Sequence, residues 1–258
     1  MKPTPKSKAR VVRAASALRS GKNPASLLVF GAHPDDIEFG CGGIVARETN
    51  AGRSAHFVIC SRGEAGTNGT PAERTAEAEK AAALLGATLE FVALDSDAHL
   101  EIRSAHAITL AGIIRRTQPT IVLAPTHEQN QHPDHWRLAQ LVRDAARLAR
   151  YGGLAELKTL PPHSIGQLFF YAITPNAEPA GVQPVLIDLS APEVIVSWIA
   201  AMEAHASQLK TRNYVEVQLA RARVHGSRCG ATAAQALYQN DALVFDSLAP
   251  LARGARHF

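Results

Sequence analysis

Two short segments bring together residue types that can do chemistry as a set. The first is His33-Pro34-Asp35-Asp36-Ile37-Glu38, directly after the apolar run Ser26–Ala32. Imidazole and carboxylate are suitable ligands for a borderline cation such as zinc. Two adjacent carboxylates can divide the work, one coordinating and the other staying free as a base. Pro34 stiffens the turn and removes a competing backbone donor. Taken alone, the segment also reads as an Asp-rich turn that caps the next helix through Asp35 or Asp36.

The second segment runs Pro125-Thr126-His127-Glu128-Gln129-Asn130-Gln131-His132-Pro133-Asp134-His135. A second His-Pro-Asp turn, placed again between an apolar run and a helix, is hard to obtain from capping alone. His135 can complete a His33-Asp36-His135 metal triad that leaves one coordination position open, the mark of a catalytic rather than a structural zinc. His132 stays free to stabilise charge, and Asp134 is a neighbour able to orient an imidazole.

The elements that must position these residues alternate. Apolar runs at Ser26–Ala32, Ala55–Cys60, Leu89–Leu94 and Thr120–Ala124 read as strands. Helical spacing follows them around 42–52, then at Ala72–Leu85, Glu101–Arg116 and Trp136–Arg150. This β-α-β-α order with continuous Val/Ile/Leu strands predicts an α/β, Rossmann-like, mostly parallel sheet with helices on both faces. In such sheets ligands bind beyond the carboxyl ends of the strands, where both His-Pro-Asp turns fall. After Tyr151 the grammar changes to a C-terminal elaboration: strands at Gln167–Thr174 and Pro184–Leu189, then helices at Pro192–Lys210 and Tyr214–Cys229. No polar linker divides the chain, so residues 25–258 are expected to form a single domain.

Composition narrows the function classes. With 46% hydrophobic and 19% charged residues in 258, the chain is neither disordered nor membrane-embedded in type. No apolar run reaches the roughly 20 residues of a spanning helix, and no signal-type stretch follows the start, which suggests a cytoplasmic protein. The net charge of +4 is local. Seven of the 27 Lys and Arg precede the first acid, Asp35; removing them leaves 20 bases against 23 acids. Residues 1–24 are thus a basic arm on a slightly acidic body, and nucleic-acid binding is not expected. Cys41, Cys60 and Cys229 lack metal-type spacing and read as packed thiols. Gly40, Gly42 and Gly43 do not form a dinucleotide fingerprint, which weakens the rival reading of a nonenzymatic Rossmann-like binding module.

With both turns in view, the sequence resembles the PIG-L/LmbE-like metal-dependent deacetylases, and within them the bacillithiol-pathway members most. The resemblance runs from about Ser26 to Leu248. Besides the two turns it rests on Ser61–Thr70, Glu73-Arg74, Leu85-Gly86-Ala87 and Ala204-His205-Ala206-Ser207-Gln208. It implies His33, Asp36 and His135 as zinc ligands, with ferrous iron as the cellular alternative, and Asp35 as general base. It implies His132 as oxyanion donor or acid, oriented by Asp134, with Arg74 and Tyr214 as substrate contacts. The implied reaction removes the N-acetyl group from an N-acetylglucosamine-containing small molecule such as a malate glycoside. A chitooligosaccharide deacetylase and a thiol-conjugate amidase of the same fold are the alternatives. A homo-oligomer without membrane partners is also implied. Two departures bear on the substrate: Asn130-Gln131 stands where those members carry Asp-Arg, and Ala234-Gln235-Ala236-Leu237 replaces their late Ala-Glu-Ala/Gly-Phe stretch.

Other candidates read more plainly. His56, His99, His106, His163, His225 and His257 have no partner spacing, and His127 is only a loop neighbour. Asp95 and Asp97 sit past the third strand near the expected mouth, Glu64 is as apt to shape its loop as to touch substrate, and Trp136 and Trp198 read as packing.

Overall fold

The computed structural model describes residues 26–251 and 254. The basic arm at 1–24 and His257 lie outside the described residues. Seven strands, β1 (Leu27–Gly31), β2 (Ala55–Ile59), β3 (Thr88–Phe91), β4 (Ile121–Pro125), β5 (Gln167–Tyr171), β6 (Val185–Asp188) and β7 (Ala234–Gln239), form one sheet in the order β3-β2-β1-β4-β5-β7-β6. β1 to β5 are mutually parallel, and β7 runs antiparallel to both β5 and β6. Among the described residues the α-helices are α1 (Asp36–Asn50), α2 (Pro71–Leu84), α3 (Ser104–Thr117), α4 (Pro133–Leu148), α5 (Pro192–Glu203) and α6 (Tyr214–Cys229).

Side chains alternate across β1 into two cores. Leu27 and Val29 join the layer under α1, α2, α5 and α6, while Leu28 and Phe30 join the layer under α3 and α4. Both faces are therefore apolar, and the strand reads as a continuous run rather than an alternation. The chain leaves β1 toward β2 on one side and reaches β4 on the other. That reversal opens a crevice at the carboxyl ends of β1 and β4, the place where such sheets bind ligands.

Three features depart from the sequence reading. α1 begins at Asp36 rather than near Gly42, because the glycines that look like a loop are packing residues. A Cβ on Gly40 would sit 2.3 Å from the Tyr171 ring, so only glycine lets α1 lie this close to β5. The helix expected to reach Lys210 stops at Glu203, leaving His205–Gln208 as a separate strap. Strand β7 has no counterpart in the sequence reading; its Gln235 is buried and accepts from Ile44 N–H at 2.9 Å, a polar interruption in what would be an apolar pattern.

Two local devices matter for the site. Thr70 opens α2 with a reciprocal capping box: its hydroxyl accepts from Glu73 N–H at 3.2 Å, and the Glu73 carboxylate accepts from Thr70 N–H at 2.7 Å. At the far end of α4, the buried guanidinium of Arg115 on α3 donates to the carbonyls of Ala149 (3.0 Å), Tyr151 (2.6 Å), Leu157 (2.7 Å) and Leu160 (3.0 Å). Among the described residues no helix is long and apolar enough to cross a membrane.

Candidate active site

The crevice is a cleft of about 610 Å³. His33, Asp35, Asp36, Arg74, His132, His135 and Tyr214 all line it. Asp134 lies just behind the wall, buried.

The turn after β1 is built by its own carboxylate. Asp36 Oδ2 accepts from the N–H groups of Ala32 (2.8 Å) and His33 (2.9 Å), folding the helix start back against the strand end. Asp35, the residue before α1, is forced to φ 110°, a conformation that costs a non-glycine residue energy, and its side chain makes no capping hydrogen bond. The capping alternative therefore fails at this turn.

Asp36, His33 and His135 converge. His135 Nε2 is 3.0 Å from Asp36 Oδ1 and 3.3 Å from His33 Nδ1, and His33 Nδ1 is 3.5 Å from Asp36 Oδ2. On its other edge, His33 Nε2 meets Asp97 Oδ1 at 3.1 Å and Asp134 Oδ2 at 3.3 Å. These two carboxylates are themselves fixed by backbone donors, Ala65 N–H to Asp97 (3.2 Å) and Ala98 N–H to Asp134 (2.8 Å). The carboxylate of Asp134 thus faces His33, while its backbone N–H donates to His132 Nδ1 at 3.3 Å. That bond leaves the proton of a neutral His132 on Nε2.

Electrostatics follow the geometry. Burial and the neighbouring Asp36 charge push Asp35 up to about 6, against the pull of Arg74, His205 and His33. Burial also works against the Asp36 carboxylate, but His135 and His33 outweigh it and hold this group well below the usual carboxylate range. Burial and the charges of His33 and His135 lower His132. For His33, burial is overcome by the Asp36 charge and by bonds to Asp134, Asp36 and Asp97, which raise it well above the ordinary value. Three carboxylates around one imidazole call for more positive charge than that ring supplies, and a donor set of two imidazoles with a carboxylate suits zinc. Two overlapping groups, His33/His132/His135 and His33/Asp97/His132/Asp134, also bring ligand atoms within 4.8 Å of one another.

Arg74 reaches the site from α2. Its Nη2 donates to Pro34 O at 2.8 Å and lies 3.5 Å from Asp35 Oδ2, and its Nη1 donates to Gly63 O at 3.3 Å. The loop before α2 can wrap this guanidinium because Gly63 has φ 71°; a Cβ there would fall 2.0 Å from Arg74 Nη1. The late strap locks the assembly from the other side. His205 sits 3.2 Å from Glu38, both fully buried, and Ser207 N–H donates to Glu77 at 2.7 Å. The Tyr214 ring packs against Phe39, centroids 5.6 Å apart.

The remaining candidates are placed elsewhere. His56 bonds Thr88 and Glu90, His106 and His163 bond backbone carbonyls, His225 pairs with Glu178, and His127 packs on Phe170. His99 bonds Ser96 and the Asp97 carbonyl. Asp95 pairs with Arg103 on the surface, and Glu64 shapes its loop by accepting from Arg62 and Asp97 N–H. Trp198 is fully buried and donates to Glu38 O at 2.8 Å. Sequence reasoning gives Asp97 only a mouth position and misses its grip on His33; no spacing links residues that far apart. It also misses Phe39, Gln208 and Arg212 in the cleft wall.

The chain is similar to several known proteins. Residues 28–146, which include both His-Pro-Asp turns, match the PIG-L family, described as GlcNAc-PI de-N-acetylase. An uncharacterized deacetylase of Escherichia coli K12, YaiS, is 34% identical over 139 residues, covering 51% of this chain and 74% of the relative. The diacetylchitobiose deacetylase of Thermococcus kodakarensis is 29% identical over 189 residues, covering 68% and 67%. The crystal structure of the conserved protein TT1542 from Thermus thermophilus superposes with a TM-score of 0.77 at 31% identity, over 90% of this chain and all of that one. A 4-oxalmesaconate hydratase of Pseudomonas putida is 31% identical over 140 residues, covering 50% of this chain and 54% of the relative. The family match across both turns and the likeness to YaiS over most of its length lead to one conclusion: this chain belongs to the PIG-L family.

Proposed function

We propose that this protein is a metal-dependent hydrolase that removes the N-acetyl group from an N-acetylglucosamine-containing small molecule, a malate glycoside or a close analogue. The observation that carries the reading is the convergence of His33 Nδ1, Asp36 Oδ1 and His135 Nε2, with Asp35 beside them in a strained turn. In this reading those three residues hold the ion, zinc or ferrous iron. Asp97 and Asp134 act from behind by fixing the His33 ring, as carboxylates do for metal-bound imidazoles. A bound ion supplies Lewis acidity, polarising the acetamide carbonyl and making water a competent nucleophile near neutral pH.

The chain's own residues do the rest. Asp35 takes the proton of the attacking water, standing beside the three proposed ligands without serving as a ligand or a helix cap. Arg74 holds Asp35 in place and lines the cleft as a substrate contact. His132, neutral and protonated on Nε2, donates to the oxygen that gains charge as the carbonyl becomes tetrahedral; one such donor is typically worth about 10²–10³ in rate. Asp134 keeps His132 in that tautomer through its backbone N–H. The amine must leave protonated, and Asp35 is placed to return the proton it took. Tyr214 closes the cleft over the acetyl group.

Support comes from the two deacetylases named above and from the family description. The hydratase relative makes addition of water to an unsaturated acid the competing chemistry. Acetate release separates the two. Zinc-loaded and chelator-stripped protein should be assayed on N-acetylglucosaminyl-malate, N-acetylglucosamine and diacetylchitobiose. Metal-dependent acetate release is expected from at least one. Hydration of 4-oxalmesaconate with no acetate from any of the three would overturn the reading.

A further inference from the structure

The proposed reaction gives no task to several residues that line the cleft. They include Phe39, Ile173, Asn176, Gln208 and Arg212, of which only Arg212 is charged. The cleft's second guanidinium, Arg74, is buried and bonded to Pro34 O and Gly63 O with Asp35 alongside. Arg212 is exposed, and among the described residues no carboxylate lies within ion-pair distance of it. The acids of the cleft, Asp35, Asp36 and Asp97, are engaged by Arg74 and the histidines.

Arg212 is nevertheless held. Its guanidinium carbon lies 5.6 Å from the centroid of the Tyr214 ring, which in turn packs on Phe39. The backbone on either side is tied down. Ser207 bonds Glu77 through both N–H (2.7 Å) and hydroxyl (2.6 Å), Gln208 donates to Asn68 O at 2.8 Å, and Asn213 caps α6 through Glu216 N–H at 3.1 Å. A planar fork of donors fixed at the rim of a pocket, with no internal acid to satisfy it, is suited to an oxyanion.

We propose that Arg212 is a specificity-determining residue that reads a carboxylate or phosphate on the aglycone, so that the preferred substrates of this enzyme are amino-sugar conjugates carrying negative charge beyond the sugar ring. The inference rests on the deacetylase reading and adds to it a residue that recognises the charge of the aglycone. With the Arg74 guanidinium committed to Pro34 O and Gly63 O, Arg212 is the cleft guanidinium without an ion-pair partner among the described residues.

The test compares parent, Arg212→Ala and Arg212→Lys on three substrates: N-acetylglucosaminyl-malate, N-acetylglucosamine 1-phosphate, and the neutral methyl glycoside of N-acetylglucosamine. Arg212→Ala should raise KM about 10- to 100-fold for the charged substrates, with kcat and the neutral substrate changed less than about twofold. Arg212→Lys should recover part of the loss. Whichever charged substrate loses more identifies the anion. Equal effects on charged and neutral substrates, or none, would overturn the proposal. If the parent releases no acetate from any of them, calorimetric binding of the same two anionic compounds decides. Binding lost in Arg212→Ala keeps the anion site and rejects the deacetylase. Binding indifferent to Arg212 rejects the anion site.

Discussion

The two turns share the tripeptide His-Pro-Asp, yet the fold uses them differently. In His33-Pro34-Asp35-Asp36 the helix starts three residues after the histidine, across a residue at φ 110° that caps nothing. In His132-Pro133-Asp134-His135 the helix starts at the proline, and the histidine itself is the cap, accepting from Asp134 N–H. In the proposed mechanism the first turn therefore sends its first and fourth residues toward the ion and leaves the third free as base. The second sends only its fourth residue there and keeps the first as a donor. Identical letters acquire different roles because the first turn is bent back by the Asp36 carboxylate and the second is not.

Substitutions can break this comparison. The largest effect is expected at the metal. His135→Ala should lose both bound zinc and acetate release, whereas Asp35→Ala should keep the zinc and lose activity by about 10²–10⁴. Metal analysis beside the assay would separate them, and zinc retained in His135→Ala would remove it from the ligand set. Next, His132→Ala should lower kcat by about 10²–10³ with metal content unchanged. A smaller effect sets the structural pairing of Glu178 apart from both turns. The hydrogen bond from His225, then that from Arg221, hold Glu178 near 2 against the opposing push of burial. Because its folded value is depressed, its stabilisation is full above about pH 4.5 and fades as pH falls toward 2. Discounted for its partial exposure, Glu178→Gln should cost about 1–2 kcal/mol at pH 7 and progressively less in acid, read from denaturant midpoints. The smallest effects test the turns as backbone. His132→Ala should lose about 1 kcal/mol of stability as a missing cap. Asp35→Gly should be about 1 kcal/mol more stable than Asp35→Ala, because glycine relieves φ 110°.

The catalytic corner was legible because its chemistry needs rare residue types in tight sequence groups, and each group follows an obvious strand. Four of the five parallel strands were legible for a related reason, since strands buried on both faces read as largely apolar runs, whereas the edge strand β3 (Thr88–Phe91) is only partly buried. What escaped was set by contacts across the fold. Gly40 looks like a loop residue until the Tyr171 ring is seen beside it. Gln235 hides β7 because its partner, Ile44 N–H, lies 191 residues earlier. The capping alternative at Asp35 could be dismissed only once the carboxylate of Asp36 was found bonded to the strand end. Likewise Asp97 finds His33 only when β1 and the loop after β3 meet at the cleft.

The Arg115 clamp has a mechanical consequence for the cleft. α4 is a rod of 16 residues, roughly 24 Å long at 1.5 Å per residue, with His132 and His135 at one end and the clamped carbonyls just past the other. A slide of one residue along the rod's axis would displace His135 by about 1.5 Å, enough to spoil a coordination sphere. The carbonyls of Ala149 and Tyr151, gripped by Arg115 together with those of Leu157 and Leu160 from the following segment, act as an axial stop against that slide. Geometric tolerance at the proposed metal end is thus set in part by a guanidinium at the opposite end of the helix.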